Sequence, residues 1–298
     1  MDTAITVMLD GLVFSSYLFI VSLGLTIIFG VMGILNLAHG AFYAWGAYTA
    51  AFLIGAAATA GWPDWIGFPI IFASALVVGT VMGLGLQLGV LRFLQHRDES
   101  LVMLATFGLL LMLEDAIMMV FGTDPFFAYQ PMTFLGHIDI GGTARDLYGL
   151  SMVVVACAVA LAGWLALKHT RWGKLLSAVI YDREIARALG INVSRFYVGT
   201  FVIGAIVGAL GSAYVAPTTS VAPGLGMEVI VMSFAVVVIG GMGSIPGALV
   251  SSLIVGLVRA IAVHKFPEYE LFVMYAVMAL VLTFRKEGLF APAKIRTI

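Results

Sequence analysis

The chain has 298 residues, 62% hydrophobic and 10% charged, with a mean hydropathy of +1.09. Soluble domains carry about 25% charged residues, so this composition excludes a soluble fold and implies a multi-spanning helical membrane protein. The net charge of −1 leaves no basic field for nucleic acid, and a single cysteine, Cys157, permits no internal disulfide.

The N-terminal stretch Met1–Gly11 has no basic region and no clear small-residue cleavage site, so the first span is expected to stay uncleaved. Residues 11–63 contain no Asp, Glu, Lys or Arg. One spanning helix needs about 20 residues, so this run predicts two spans, or one span with a re-entrant piece. A break is predicted at Gly30-Val31-Met32-Gly33, where glycines are followed by the polar Asn36 and His39 and by Gly40. Non-helical backbone at such depth is tolerated only inside protein or beside a water-filled cavity. Trp62 and Trp65 flank a turn of interfacial character.

The next run, Trp65–Leu91, carries Gly79, Gly83, Gly85 and Gly89, a predicted stripe for close helix packing. A short polar loop, 92–100, leads to the span Leu101–Phe121. That span includes Glu114 and Asp115, each costly at a bilayer centre and so expected near an interface or facing protein. Glu114 is a candidate gating residue. A long loop follows over 122–148, then a span over 147–167. Lys168–Arg195 is the one long, strongly charged stretch and holds six of the 15 Lys and Arg. It is expected as a basic loop in water, joining spans 147–167 and 196–217.

After Pro217 comes a polar turn, then a second interrupted run, with the break predicted at 240–247. Gly30–Gly33 and Gly240–Gly243 share the pattern G-x-M-G. Paired broken segments in the two halves of a chain point to a translocation site at the membrane midplane. The last span is 267–284, with a basic tail over 285–298. Placing 92–100, 168–195 and 285–298 inside leaves only Arg145, Arg259 and Lys265 of the 15 Lys and Arg outside. That asymmetry sets the C-terminus in the cytoplasm. The expectation is an all-α polytopic membrane protein, a single transmembrane domain over 1–298. It has about nine spans with the N-terminus outside, or eight with it inside, and interrupted segments near 30–40 and 240–247.

No G-x-x-x-x-G-K-[ST], H-E-x-x-H or G-x-S-x-G pattern occurs, and the five histidines are scattered, so neither metal site nor catalytic set is expected. Asn36 and His39 either line a path or simply satisfy the backbone at the break. The glycines Gly33, Gly40, Gly240, Gly241 and Gly243 are read as permitting close backbone approach.

Within the basic stretch, Glu184-Ile185-Ala186-Arg187-Ala188-Leu189-Gly190 resembles the "EAA" cytoplasmic loop of bacterial ABC importer permeases, with Ile185 where the first alanine would stand. Gly190 is a predicted helix C-cap. The resemblance implies that Ile185, Ala186 and Leu189 fill a groove on an ATPase, oriented by charges such as Arg183 and Glu184. The stretches GLTIIFGVMGILNLAHGAFYAWGAY (24–48), ARALGINVSRFYVGTFVIGAIVGALGSAYVAP (186–217) and VVVIGGMGSIPGALVSSLIVGL (236–257) are similar to the permease subunits of branched-chain amino acid (Liv-type, LivH-like) ABC importers.

That resemblance implies a permease for branched-chain or related hydrophobic amino acids in a bacterial inner membrane, with residues 168–195 coupling it to ATPases. Its partners would be a homologous second permease, two cytoplasmic ATPase subunits that bind ATP-Mg, and a periplasmic substrate-binding protein. The chain itself would hold no cofactor and catalyse nothing. Its broken helices at Gly33, Asn36, His39, Gly40, Tyr43, Gly240, Gly241, Gly243 and Pro246 would border the path. A urea or short-amide importer is the alternative, followed by an ion-driven secondary transporter. The scarcity of buried ion-coupling carboxylates argues against the latter.

Overall fold

The first helix, α1 (Asp2–Met32), is the axle of the molecule. Its middle is apolar on every side, and a helix with no polar face belongs in the interior. Leu18, Phe19, Ile20, Val21, Leu23, Leu25 and Ile28 are accordingly buried. The structure, a computed structural model, describes residues 2–94, 97–140, 143–285 and 288–290.

Around α1 pack α7 (Leu147–His169), α10 (Val193–Val215), α11 (Leu225–Gly240) and α12 (Ile245–Lys265), and α2 (His39–Thr59) lies against α10 and α11. Helix α3 (Gly67–Leu86) runs through a π-helical turn at Gln87–Leu91 into α4 (Arg92–Leu94) and lies against α10. Helices α5 (Glu99–Phe121) and α13 (Glu270–Phe284) lie outside this group, against α2 and α11 and against α11 and α12. Among the described residues, seven helical stretches are long and apolar enough to cross a membrane, and α11 and α13 supply two shorter apolar helices. The all-α polytopic fold is the one expected. The charge-free run 11–63 folds as two long helices rather than one helix and a re-entrant piece.

Small residues set the close contacts. A Cβ on Gly79 would fall 2.6 Å from Ile206 N, and one on Gly83 would fall 3.1 Å from Val202 Cα. Gly85 and Gly89 meet nothing within 4 Å, so the predicted stripe of four is a pair. Positions 79 and 83 are one turn apart on one face, whereas 85 and 89 have rotated away from it.

The stretch 122–148, expected as a loop, contains α6 (Gln130–Leu135) and an antiparallel hairpin of β1 (His137–Ile140) and β2 (Thr143–Asp146). Phe126 N donates to Val221 O at 2.9 Å and Val221 N to Phe126 O at 3.0 Å, which pins the turn 216–224 to this end of the bundle.

At the opposite end, the expected basic loop is two helices, α8 (Arg171–Tyr181) and α9 (Arg183–Ala188). Side-chain caps decide the boundaries. Thr170 Oγ1 accepts from Gly173 N at 3.0 Å, Asp182 Oδ1 from Glu184 N and Ile185 N at 2.9 Å each, and Asn192 Oδ1 from Arg195 N at 3.2 Å. Helix α8 buries Leu176 and Val179 against the bundle and turns Lys174 and Leu175 outward, so half of this charged stretch is packed rather than dissolved.

Of the basic tail, residues 286–287 and 291–298 lie outside the described residues. Leu289 N and Phe290 N donate to Ile239 O and Gly240 O, satisfying carbonyls at the C-terminus of α11.

Candidate translocation site and coupling segment

Both predicted breaks are present. Helix α1 ends at Met32, with Gly33 (φ +66°) donating from its N–H to Phe29 O at 2.8 Å. Helix α11 ends at Gly240, and α12 restarts at Ile245 under a cap in which Ser244 Oγ accepts from Gly247 N at 3.1 Å. Pro246 sits in the first turn of α12, where its missing N–H has no helical partner to lose. The breaks touch: a Cβ on Gly243 would fall 2.9 Å from Gly30 Cα, and one on Gly30 would fall 3.3 Å from Gly243 O. The two G-x-M-G segments are therefore one junction. It lies at the last turn of α1, beside α9, and not midway through the bundle as expected.

Arg183, the first residue of α9, reaches this junction. Its Nη2 donates to Val31 O at 3.2 Å and Met32 O at 3.1 Å, and its guanidinium packs over the Tyr197 ring at 5.5 Å. A cation on the last carbonyls of a helix meets both unsatisfied acceptors and the negative end of the helix dipole.

Helix α9 closes in a Schellman turn. Gly190 (φ +81°) donates to Arg187 O, and Ile191 N donates to Ala186 O, both at 3.0 Å. Gly190 is thus the predicted C-cap glycine. Ile185 and Leu189 are 58% and 74% exposed, while Ala186 is 2% exposed. This corrects the expectation for Ala186, which packs inward and is unavailable to a partner. Residues 185 and 189 share one face, and 186 turns away from it.

The far side of the predicted break at 30–40 is the start of α2, which meets the start of α11. Asn36 Oδ1 accepts from Ala38 N at 3.1 Å, and Leu37 N donates to Thr106 Oγ1 at 3.2 Å. His39 is wholly buried and its Nε2 donates to Val21 O at 3.2 Å, about 16 Å back from the end of α1 at ~1.5 Å per residue. Gly208 leaves room for this ring, since a Cβ there would fall 2.7 Å from Nε2. Gly40 meets Gly226 backbone to backbone. Helix α11 has only Gly224 as its own N-cap, so Glu114 from α5 supplies the acceptor: Oε1 accepts from Met227 N at 3.0 Å. The turn 216–224, which the sequence suggested only as a polar connection, therefore feeds a helix that starts inside the bundle.

Directly beyond this point, towards the hairpin end, opens a cavity of about 600 Å³. Tyr17 and Tyr43, ring centroids 6.0 Å apart, line it, and Tyr43 stands one helical turn from Gly40. Five charged side chains also line it: Asp10, Arg145, Asp146, Glu228 and Arg259. Arg145 Nη1 lies 2.6 Å from Asp10 Oδ1, and His264 Nε2 lies 3.3 Å from Asp10 Oδ2. Asp146 caps α7, accepting from Tyr148 N and Gly149 N at 3.1 Å each. Arg259 packs over the Phe14 ring at 3.8 Å.

A family model described as branched-chain amino acid transport system, permease component, matches residues 7–282. The chain belongs to this family. The permease is 25% identical over 299 residues to the high-affinity branched-chain amino acid transport system permease protein LivH of Escherichia coli K12, covering 98% of this chain and 96% of LivH. It is 26% identical over 295 residues to LivM of the same organism, covering 91% of this chain and 67% of LivM. Among solved structures, PsaBC from Streptococcus pneumoniae in complex with Fab shares the fold, with a TM-score of 0.50 and 13% identity over 95% of this chain and 91% of that one.

In the permease, the predicted path residues divide into two neighbouring groups, joined by the short connection from α1 to α2. Gly33, Gly240, Gly241, Gly243 and Pro246 gather near α9. Asn36, His39 and Gly40 gather with Glu114 at the start of α2 and α11. Of all these only Tyr43 lines the cavity. Asp10, Tyr17, Arg145, Glu228 and Arg259 were missed. The available signal was that Arg145 and Arg259 are two of the three basic residues left over by the charge asymmetry.

Proposed function

We propose that the permease is the translocation subunit of an ATP-driven importer of branched-chain or related hydrophobic amino acids, and that it hydrolyses nothing itself. A homologous second permease completes the path. The similarity to both LivH and LivM supports a paralogue in that role. Two ATPase subunits bind ATP-Mg and dock on Ile185 and Leu189 at the cytoplasmic side, where the C-terminus also lies. A periplasmic binding protein delivers the solute over the cavity at the hairpin end.

One observation carries this reading: the helix that presents the exposed Ile185–Leu189 face is tied through Arg183 to the last carbonyls of α1, at the junction of both broken segments. Force applied at α9 is thereby delivered to two helix breaks at once. Alternating access follows when ATP closes the ATPase dimer, α9 moves with it, and the broken helices shift between outward and inward openings.

The test is leucine uptake into proteoliposomes containing the permease with its neighbouring permease and ATPases, binding protein outside and ATP inside. ATP-dependent uptake is expected. Absence of leucine uptake, with ATP hydrolysis stimulated by a binding protein loaded with another solute, would overturn the substrate and leave the importer. No ATPase association would overturn the importer.

A further inference from the structure

Helix α5 divides its side chains between two surroundings. Val102, Thr106, Leu110 and Ile117 are buried against the bundle, whereas Leu104, Gly108, Leu111, Asp115 and Met119 are exposed. Spaced by three or four, the exposed positions form one outward face. Asp115 is out of place on it. It stands six residues before the helix end at Phe121, about 9 Å at ~1.5 Å per residue, and sixteen after Glu99. A bilayer core is about 30 Å thick, so this carboxylate lies inside the hydrocarbon. Its one methylene is too short to snorkel to the interface as Lys and Arg do. Among the described residues it has no hydrogen-bond or ion-pair partner. Glu114, one residue earlier and ~100° round the helix, turns inward and caps α11.

The outward face of α7 is different. Val154, Cys157, Leu161, Trp164 and Leu165 are exposed there, and no charged side chain interrupts them before Lys168. That face suits lipid. An ionisable group within a span instead faces protein or a water-filled cavity.

We propose that the second permease covers the outward face of α5 and answers Asp115 with a basic side chain, and that this partner is a paralogue rather than a copy of this chain. The assignment rests on the two-permease importer reading above. Charge decides the partner. In a two-fold pair of copies the same patch meets itself, which would set α5 against α5 with two carboxylates at one depth. A copy has no cation to place between them. Among the described residues, Lys and Arg stand at the ends of spans, in the segments between spans or, for Arg259, at the cavity. Gly108 lies two turns from Asp115 on the same face, and a Cβ there meets nothing within 4 Å, so a partner helix can approach closely. Helix α5 also lies against α2 and α11, which puts the partner one helix away from the Gly40–Gly226 contact.

The test uses the whole complex, with the neighbouring permease and ATPases, in nanodiscs. Cys157→Ser removes the exposed thiol, and either Leu111→Cys on α5 or Leu161→Cys on α7 carries a benzophenone for photo-crosslinking. Adducts are identified by mass. Leu111→Cys is expected to capture the second permease, and Leu161→Cys lipid only. Asp115→Leu is expected to lower the second permease recovered per copy of this chain by about tenfold, with ATPases still bound as evidence of folding. The crosslink is read on a chain that keeps Asp115, so it decides the face even where Asp115→Leu loses every partner.

Lipid adducts alone at Leu111→Cys, in a complex that contains the second permease, would overturn the face. A crosslink from Leu111→Cys to another copy of this chain would overturn the paralogue. Unchanged recovery of the second permease with Asp115→Leu would overturn the ion pair. A complex purified with ATPases but no second permease would overturn the two-permease reading itself.

Discussion

The guanidinium of Arg183 donates to the carbonyl of Met32 at 3.1 Å, so the first residue of α9 also terminates the central helix of the bundle. A second bond to Val31 O at 3.2 Å makes the attachment two-pointed. Hydrogen bonds from a charged donor are worth about 1.5–3 kcal/mol each when well formed, and partial exposure of Arg183 reduces that figure.

Arg183→Met is therefore expected to lower stability by ~1–3 kcal/mol and to uncouple the transporter. Leucine imported per ATP hydrolysed should fall by at least about fivefold, the low end of ordinary coupling energies, while ATPase association persists. Arg183→Lys should recover part of the coupling, since it keeps the charge and loses the two-pronged geometry. Paired uptake and phosphate-release assays on the same vesicles check this.

The two faces of α9 should separate cleanly by mutation. Ile185→Asp and Leu189→Asp lie on exposed positions and are expected to leave thermal stability within about 0.5 kcal/mol while abolishing ATPase co-purification. Ala186→Leu should do the reverse. Overpacking a residue that is 2% exposed costs ~1–3 kcal/mol, with docking retained in whatever fraction folds.

Gly190 and Gly243 both have positive φ but differ in surroundings. A Cβ on Gly190 meets nothing within 4 Å, so Gly190→Ala should cost only the left-handed backbone penalty of roughly 1–2 kcal/mol, and Gly190→Asn less. Gly243→Ala adds a collision with Gly30 Cα to the same penalty and should be distinctly worse. Melting temperatures of the three purified variants rank them.

Glu114 caps a helix, which predicts its mutational pattern. Glu114→Leu removes the acceptor at Met227 N and should cost about 0.5–2 kcal/mol, the range for losing an N-cap. Glu114→Gln keeps a carbonyl oxygen there and should lose only the dipole contribution of ~0.3–1 kcal/mol, with transport retained. A large loss of transport with unchanged stability in Glu114→Gln would instead assign Glu114 to gating.

Much of the fold was legible one residue at a time. Apolar runs of sufficient length can satisfy their backbone in lipid only as helices, so composition alone led to the all-α polytopic architecture. The breaks at Gly33 and Gly240–Gly243, and the C-cap at Gly190, were readable for a related reason, since glycine backbone preferences and local hydrogen bonds act over a few residues. The caps Thr170, Asp182 and Asn192 were equally present in the sequence. Charge density over 168–195 nevertheless points to a solvated loop and outweighs those local signals.

What the chain settled by itself is thus much of what neighbours along it govern: which apolar segments are helical, where their glycine breaks fall, and which segments carry the basic residues. What only the tertiary structure decided is everything governed by contacts between distant segments. The partner of Arg183 is 152 residues away and that of Glu114 is 113 away, and neither pairing leaves a trace in local pattern. Nor does the position of a break along the bundle, which set the G-x-M-G pair beside α9 and the start of α2 against the start of α11. The cavity belongs to the same class. Asp10, Tyr17, Glu228 and Arg259 are unremarkable in isolation, and they become a site because helix packing brings the ends of α1, α11 and α12 around one space.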